Sequence, residues 1–203
     1  MRSSKPSTLF TDHTMTVADY VKTAIATGST RVTLTGGYGT RRLWANNAGD
    51  TLISGISPEL MLGGRGRDTF VFNEFNDDVA IGGRGADRYV FTGVPETATR
   101  PRALATPRNR TAATITNFNP QKGDKLVLTT DAFGQAVMHL AHRFKLVAGP
   151  HPQPHGPDAT LLLNTRTHIL SFDADGTGPI SDKVIAKLPH INTIKPAWLV
   201  FQA

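Results

Sequence analysis

A short glycine-rich pattern occurs twice, nineteen residues apart, and it constrains the fold more than any other feature of the chain. The copies occupy residues 63–71 and 82–90. Each has three glycines in its first four positions and then an aspartate, Asp68 or Asp87. Apolar side chains follow at every second position, with Phe70 and Tyr89 in equivalent places. The copies therefore predict two tight turns, each of which leads into a β-strand.

The residue types in these turns favour a hard cation. Glycine has no Cβ, so the backbone can take positive φ and fold so tightly that its carbonyl oxygens converge. The aspartate adds a carboxylate to that cluster of oxygens. An all-oxygen set of ligands with one anionic group per turn suits calcium.

The two copies belong to a longer array of nine-residue units that runs from residue 36 to residue 90, with one inserted residue at Ile81. The eighth position is apolar in every unit: Leu43, Leu52, Met61, Phe70, Val79 and Tyr89. The sixth position is acidic in all units but the first: Arg41, Asp50, Glu59, Asp68, Asp77 and Asp87. Such a fixed period predicts a solenoid, in which each unit buries its apolar face against its neighbours.

The array resembles the nonapeptide calcium-binding repeats of RTX (repeats-in-toxin, or hemolysin-type) proteins, G-G-x-G-x-D-x-U-x, in which U is apolar. The resemblance implies a short parallel β-roll, in which each nonapeptide forms a half-turn and calcium lies between loops stacked on the same side. Alternate loops then share a side. The loops on the two sides start at Ala45, Gly63 and Gly82, and at Gly36, Ser54 and Phe72.

The most complete calcium site that the resemblance implies lies between the loops at Gly63 and Gly82. Its candidate ligands are the glycines and aspartates of both loops: Gly63, Gly64, Gly66, Asp68, Gly82, Gly83, Gly85 and Asp87. A less complete second site uses Asp50, from the preceding loop on the same side. The opposite side is expected to be free of metal, because Arg41 and Pro58 interrupt its pattern.

An alternative interpretation is a β-roll that is held by packing and hydrogen bonds and binds no ion. Three arginines, Arg65, Arg67 and Arg84, occupy variable positions beside the implied calcium site, where positive charge repels a cation. In this interpretation Arg84 pairs with Asp68, so that a salt bridge replaces the metal.

The segment before the array predicts a short amphipathic helix. Val17, Val21, Ala24 and Ile25 recur at helical spacing, and Thr16 precedes them as a candidate N-cap. This helix would cover the open end of the roll. The predicted fold is thus an all-β protein with an N-terminal helical cap. Its predicted parts are a cap over 1–35, the repeats over 36–93, a Pro/Arg-rich loop over 94–113 and a C-terminal β-rich cap over 114–203.

The C-terminal part predicts a strand, a turn and a strand over 115–128, and then a helix over 132–140. Four further strands are predicted over 160–163, 168–172, 184–188 and 197–201. The first segment resembles the one that follows the repeats in many RTX proteins. The resemblance implies that the C-terminus carries an uncleaved signal for bacterial type I secretion. The N-terminus shows no cleavable secretory signal, and no apolar run is long enough to predict a transmembrane helix.

The charge of the chain points to a different kind of partner. Twenty-two basic residues against sixteen acidic ones give a net charge of +6. Part of the excess lies in the Pro/Arg-rich loop, in the arginines Arg100, Arg102, Arg108 and Arg110. The loop is interpreted either as solvated and without a partner, or as a contact for an anionic polysaccharide or cell surface. Its lack of aromatic residues argues against binding of single-stranded nucleic acid.

Residues 173–178, Asp-Ala-Asp-Gly-Thr-Gly, match the start of an EF-hand loop, but Ile185 stands where the loop needs a glutamate. A tight turn between strands is the alternative, and Asp173, Asp175 and Asp182 remain a second candidate cation site.

No catalytic motif is present. His139 and His142 lack the glutamate of a zinc-protease helix, and there is no nucleophile elbow or P-loop. We therefore predict an exported, non-enzymatic, calcium-binding β-roll that serves as an extracellular structural or binding module. The alternative is a metal-independent scaffold that binds an anionic surface or joins a larger protein assembly.

Overall fold

The computed structural model describes residues 7–73, 77–92 and 112–203, and these residues are mostly β-structure. The strands of the N-terminal half are β1 (Thr8–Thr11), β2 (Met15–Thr16), β3 (Thr23–Ala26), β4 (Thr33–Thr35), β5 (Arg42–Trp44), β6 (Thr51–Ile53), β7 (Leu60–Leu62), β8 (Thr69–Phe72), β9 (Val79–Ile81) and β10 (Arg88–Phe91). The later elements are β11 (Ala113–Ile115), β12 (Lys125–Thr129), α1 (Thr130–Phe133), α2 (Ala136–His142), β13 (Leu146–Gly149), β14 (Thr160–Asn164), β15 (Ile169–Asp173), β16 (Lys183–Lys187) and β17 (Leu199–Gln202). Two short 3-10 helices cover Pro120–Lys122 and Pro196–Trp198.

The strands form two sheets. Successive strands alternate between them from β1 to β13, whereas β13 to β16 all lie in the same sheet. The ten-stranded sheet has the order β1-β3-β5-β7-β9-β11-β16-β15-β14-β13, and the seven-stranded sheet has the order β17-β12-β10-β8-β6-β4-β2. Pairing is parallel throughout the coils and becomes antiparallel only from β14 to β16. The chain is therefore a β-solenoid of about seven turns, which confirms the predicted all-β roll.

The interior of the solenoid is built from columns of side chains, one from each coil. Leu34, Leu52, Phe70 and Tyr89 occupy successive strands of the seven-stranded sheet, and each is completely buried. Because strands that pair in a sheet lie about 4.8 Å apart, aromatic rings in neighbouring coils stack face to face. The rings of Phe70 and Tyr89 are 5.2 Å apart with an interplanar angle of 12°.

One coil differs in register from the prediction. Met61 pairs with Ala80, nineteen residues further on, whereas Leu43 and Met61 are eighteen residues apart. Ala80 is completely buried, and Val79 is half-buried on the outer face. The extra residue therefore precedes Val79, and the predicted insertion at Ile81 was wrong. Periodicity alone could not place it, because three apolar residues, Val79, Ala80 and Ile81, are consecutive at this point.

This register predicts that residue 80 tolerates substitution less well than residue 79, because residue 80 lies inside the solenoid. Ala80→Leu adds three carbons to a closed interior position and is expected to lower the free energy of unfolding by about 1–3 kcal/mol. Val79→Thr, on the half-buried outer face, is expected to cost less than about 1 kcal/mol. Urea unfolding of the two variants and the parent measures both values. If Val79→Thr proved the more damaging change, the pairing of Met61 with Ala80 would be wrong.

The predicted N-terminal helix over residues 17–25 does not form. Strands β2 and β3 and the turn between them occupy this segment, so it is a coil of the solenoid. Val17 and Val21 are buried turn residues, and Ala24 is a buried strand residue, so turn and strand together imitate helical spacing. The next coil supplies the backbone partners, for example through the Val17 N–H, which donates to the Thr35 carbonyl over 2.8 Å. Pairing with that coil outweighs the local preference for a helix.

The C-terminal part extends both sheets beyond the last coil of the solenoid. The strand, turn and strand over 115–128 form the last regular coil, and β17 pairs with β12 at the edge of the seven-stranded sheet. The predicted helix is present as the two short helices α1 and α2. Phe133 of α1 contacts Phe172 of β15 edge to face, with ring centroids 5.8 Å apart. None of the helices in the described residues is long and apolar enough to cross a membrane.

Candidate functional site

Six turns stack on one side of the solenoid, each between a strand of the ten-stranded sheet and a strand of the seven-stranded sheet. They cover residues 12–14, 27–32, 45–50, 63–68, 82–87 and 116–124. The structure thus brings together the three loops that the sequence placed on this side. It also adds two turns before them and one after them. The last four turns end in Asp50, Asp68, Asp87 and Asp124, and we call them the aspartate turns.

The four aspartates connect the coils by a continuous ladder of hydrogen bonds. In each step a backbone N–H of one coil donates to the Oδ1 atom of the aspartate in the next. The Asp50 N–H donates to Asp68 over 2.7 Å, the Asp68 N–H donates to Asp87 over 2.9 Å, and the Asp87 N–H donates to Asp124 over 2.9 Å. Val32 donates to Asp50 over 2.8 Å at the first step. Each aspartate therefore stabilises the stacking of its turn on the preceding one.

The second carboxylate oxygen closes the turn to which the aspartate belongs. The Gly64 N–H donates to Oδ2 of Asp68 over 2.7 Å, and the Asn119 N–H donates to Oδ2 of Asp124 over 2.8 Å. Asp124 thus performs the same role as the predicted aspartates, although its longer turn does not match the nonapeptide. The signal for it was the Gly123-Asp124 pair directly before a strand.

Burial sets the protonation chemistry of this column. All four aspartate side chains are at most 2% exposed. Burial raises the pKa of Asp68 to about 6 and that of Asp87 to about 7, and it also raises the pKa of Asp124. Hydrogen bonds from backbone N–H groups oppose the rise, and neighbouring carboxylates add to it for Asp68 and Asp87. Bound cations or protons would relieve this accumulation of negative charge.

The glycines allow the aspartate turns to approach closely. The carbonyl oxygen of Gly66 lies against the Cα of Gly85, where an added Cβ would be only 1.7 Å from it. In the same way, the carbonyl oxygen of Gly82 faces Gly63, with 2.3 Å to an added Cβ. No described residue donates a hydrogen bond to the carbonyl oxygen of Gly66 or Gly82. Main-chain oxygens therefore lie between the turns, beside the buried carboxylates.

The arginines of these turns stay at the surface. Arg65, Arg67 and Arg84 are exposed, and Arg84 makes no salt bridge with Asp68. The predicted replacement of metal by an Arg84–Asp68 pair was therefore wrong, because Asp68 accepts backbone N–H groups from two turns instead.

The opposite side carries a smaller ladder of its own. Gly55 donates to Oε2 of Glu59 over 3.0 Å, and the Glu59 N–H donates to Oδ1 of Asp78 over 2.8 Å. Glu59 is 2% exposed, and burial raises its pKa to about 8. The residue in the ladder is Asp78 and not Asp77, as the shifted register requires. The sequence identified Glu59 as an acidic repeat position but did not predict this ladder.

Asp173 and Asp175 hold the turn that follows β15. The N–H groups of Asp175 and Gly176 donate to Oδ1 of Asp173 over 3.2 and 2.8 Å, and the Ile180 N–H donates to Oδ2 of Asp175 over 3.2 Å. Because β15 and β16 pair antiparallel, the interpretation as a turn between strands is confirmed. A cation at these aspartates stays a prediction.

Within the described ranges, no group of three His, Cys, Asp or Glu side chains is arranged to hold a metal ion. An ion in the aspartate turns would therefore depend on main-chain carbonyl oxygens for most of its ligands.

The predicted polyanion contacts, Arg100, Arg102, Arg108 and Arg110, lie outside the described residues.

Comparisons with protein-family models, with curated proteins and with solved structures find no match to this chain.

Proposed function

We propose that this protein is an exported β-solenoid scaffold whose aspartate turns bind calcium, and that the ion stabilises the stacking of the coils. The observation that carries the proposal is the buried column of carboxylates, which lies beside main-chain oxygens of closely stacked glycine turns. Carboxylate and carbonyl oxygens are the ligands that calcium prefers.

The turns of residues 63–68 and 82–87 fit calcium best. Asp68 and Asp87 would supply charge, and the carbonyl groups of residues 63–66 and 82–85 would supply neutral oxygens. Calcium would neutralise carboxylates that burial otherwise destabilises in their charged form. The exposed arginines lie on the outer side of these turns, where solvent screens their charge.

The turns themselves align the coils, and the ion would add stability by mass action. A ligand that binds only the folded state stabilises it in proportion to the logarithm of its concentration. The protein would therefore remain less stable in a cytosol poor in calcium and gain stability outside the cell. Export by a type I route and work as a structural or binding module are part of this proposal.

Thermal unfolding in chelator and in 1 mM calcium tests the proposal. With a dissociation constant of about 10 µM, calcium would add about 2.7 kcal/mol, which is about 5–10 °C in the unfolding midpoint. The double variant Asp68→Ala/Asp87→Ala is expected to lose this shift. Asp77→Ala removes an exposed carboxylate from the opposite side and is expected to keep it. If calcium left the parent midpoint unchanged, the calcium proposal would be overturned.

A second candidate function is a metal-independent scaffold that binds an anionic surface or joins a protein assembly. The carboxylates of Asp68 and Asp124 each accept backbone N–H groups at both oxygens, so the coils have direct connections that need no ion. Binding to an immobilised sulfated polysaccharide would then weaken with salt and be indifferent to calcium. Retention that requires calcium would instead favour the first proposal.

A further inference from the structure

A cavity lies on the outer face of the C-terminal antiparallel strands. Leu162, Ser171 and Asp173 point away from the core, because they alternate with the buried residues Leu161 and Phe172. Side chains on an outer face are ordinarily exposed, yet these three are only 5–7% exposed. The loops over 150–158 and 174–182 cover them and border a cavity of about 690 Å³ that is open to solvent. This volume is typical of a site for a small organic ligand.

The two covering loops are held to each other. The Thr177 N–H donates to the Gly156 carbonyl over 3.0 Å, and the Cα of Gly176 lies directly against that carbonyl. Gly176 has a φ of +61°, which a residue with a side chain rarely adopts. The cavity is therefore part of the folded structure and does not depend on the chance position of one free loop.

A buried carboxylate opens into this cavity. Asp173 lines it and is 5% exposed. Its Oδ1 accepts two backbone N–H groups, but no described residue donates a hydrogen bond to its Oδ2. Most of this side chain is shielded from water, and its backbone hydrogen bonds reach only Oδ1, so a ligand that donates to Oδ2 would lower the cost of burying the charge.

The charge of the cavity is opposite to that of the whole chain. Its lining includes the carboxylates of Asp173 and Asp182 and the imidazole of His151 but neither lysine nor arginine, although the net charge of the protein is +6. Nearby cations have other partners, since Lys183 donates to the Ala132 carbonyl and Lys145 contacts Asp158. The lining combines these carboxylates with hydroxyl groups and with the apolar side chains of Leu162, Ile169 and Ile180.

We propose that this cavity binds a small organic cation, an ammonium or guanidinium group on a short apolar chain. The cation would donate to Oδ2 of Asp173 and face Asp182, and its chain would contact the apolar residues. A metal ion fits less well, because the cavity is much larger than an ion and the described residues offer no group of three metal-binding side chains. The cationic group can come from a free amine or from an arginine side chain of a peptide.

Amide resonances of the 15N-labelled protein, followed during titration, test this proposal. The probes are agmatine, the peptide acetyl-Gly-Gly-Arg-Gly-Gly-amide, succinate and calcium chloride. One or both cationic probes are expected to shift the amides of residues 162, 171 and 176–178 at concentrations up to about 1 mM. A response to agmatine alone indicates a free amine, and a stronger response to the peptide indicates a basic segment. Succinate is expected to leave these amides unchanged.

Three variants locate the effect. Asp182→Asn changes an exposed carboxylate at the cavity and is expected to weaken binding of the cationic probe about 2–5-fold. Asp173→Asn is expected to weaken it further, with its thermal midpoint measured beside it to check folding. Asp131→Asn removes an exposed carboxylate at the start of α1 and is expected to have no effect. The proposal fails if neither cationic probe shifts these amides, if Asp131→Asn weakens binding as much as Asp182→Asn, or if calcium shifts the same amides and the organic probes do not.

Discussion

Gly85→Ala is expected to lower the free energy of unfolding by about 4 kcal/mol or more, which corresponds to about 8–16 °C in the unfolding midpoint. The new methyl group would lie 1.7 Å from the carbonyl oxygen of Gly66, far inside the van der Waals distance. Both atoms belong to backbone in tightly connected turns, so neither can rotate away. The two turns would have to separate, and the hydrogen bond from the Asp68 N–H to Asp87 would lengthen with them.

Gly149→Ala provides the matched control. Gly149 lies in β13 with no atom within 4 Å of an added Cβ, and its φ is not in the left-handed region. Alanine is therefore expected to raise the free energy of unfolding there by at most about 1 kcal/mol. Thermal and urea unfolding of both variants measure the difference. Equal effects of the two substitutions would contradict the close stacking of the glycine turns.

The protein in chelator is expected to be more stable at pH 5 than at pH 8. Burial raises the pKa of Glu59 to about 8, of Asp87 to about 7 and of Asp68 to about 6, from ordinary values of 4.5 for Glu and 3.8 for Asp. In that range the folded state binds more protons than the unfolded chain. The free energy of unfolding therefore falls as the pH rises through the folded-state pKa values. Because the groups are coupled, we expect a net loss of about 3 kcal/mol between pH 5 and pH 8.

Thermal unfolding at half-unit steps of pH measures this slope, with an expected difference of about 6–12 °C between the ends of the range. Glu59→Gln removes one titrating group and is expected to flatten the slope above pH 7, whereas Asp77→Asn, at an exposed position, is expected to leave it unchanged. If calcium occupies the aspartate turns, it competes with protons, and its stabilising effect grows as the pH rises. If the free energy of unfolding in chelator increased from pH 5 to pH 8, the raised pKa values of the buried carboxylates would be wrong.

The features that were predicted correctly are those with a strong signal in a short stretch of sequence. Glycine and aspartate at fixed spacing predicted the turns of residues 63–68 and 82–87, and the apolar eighth position predicted the buried column through Leu52, Phe70 and Tyr89. Both signals are local, because a turn and an alternating strand depend on neighbours in the chain. The predicted helix over residues 17–25 failed because an adjacent coil, rather than the segment itself, supplies its backbone partners.

By itself, the sequence determined that this chain forms a solenoid and which aspartates share a side, since the repeat length and the positions of glycine both act within a single coil. Tertiary structure alone decided how each carboxylate is used. The ladder through Asp124, the shift that places Ala80 inside, and the cavity at Asp173 each depend on contacts between segments that are distant in the chain. Such contacts do not produce a repeating pattern in the sequence. The free energy of burying a polar group depends on the atoms that surround it in space and not on its neighbours in the chain.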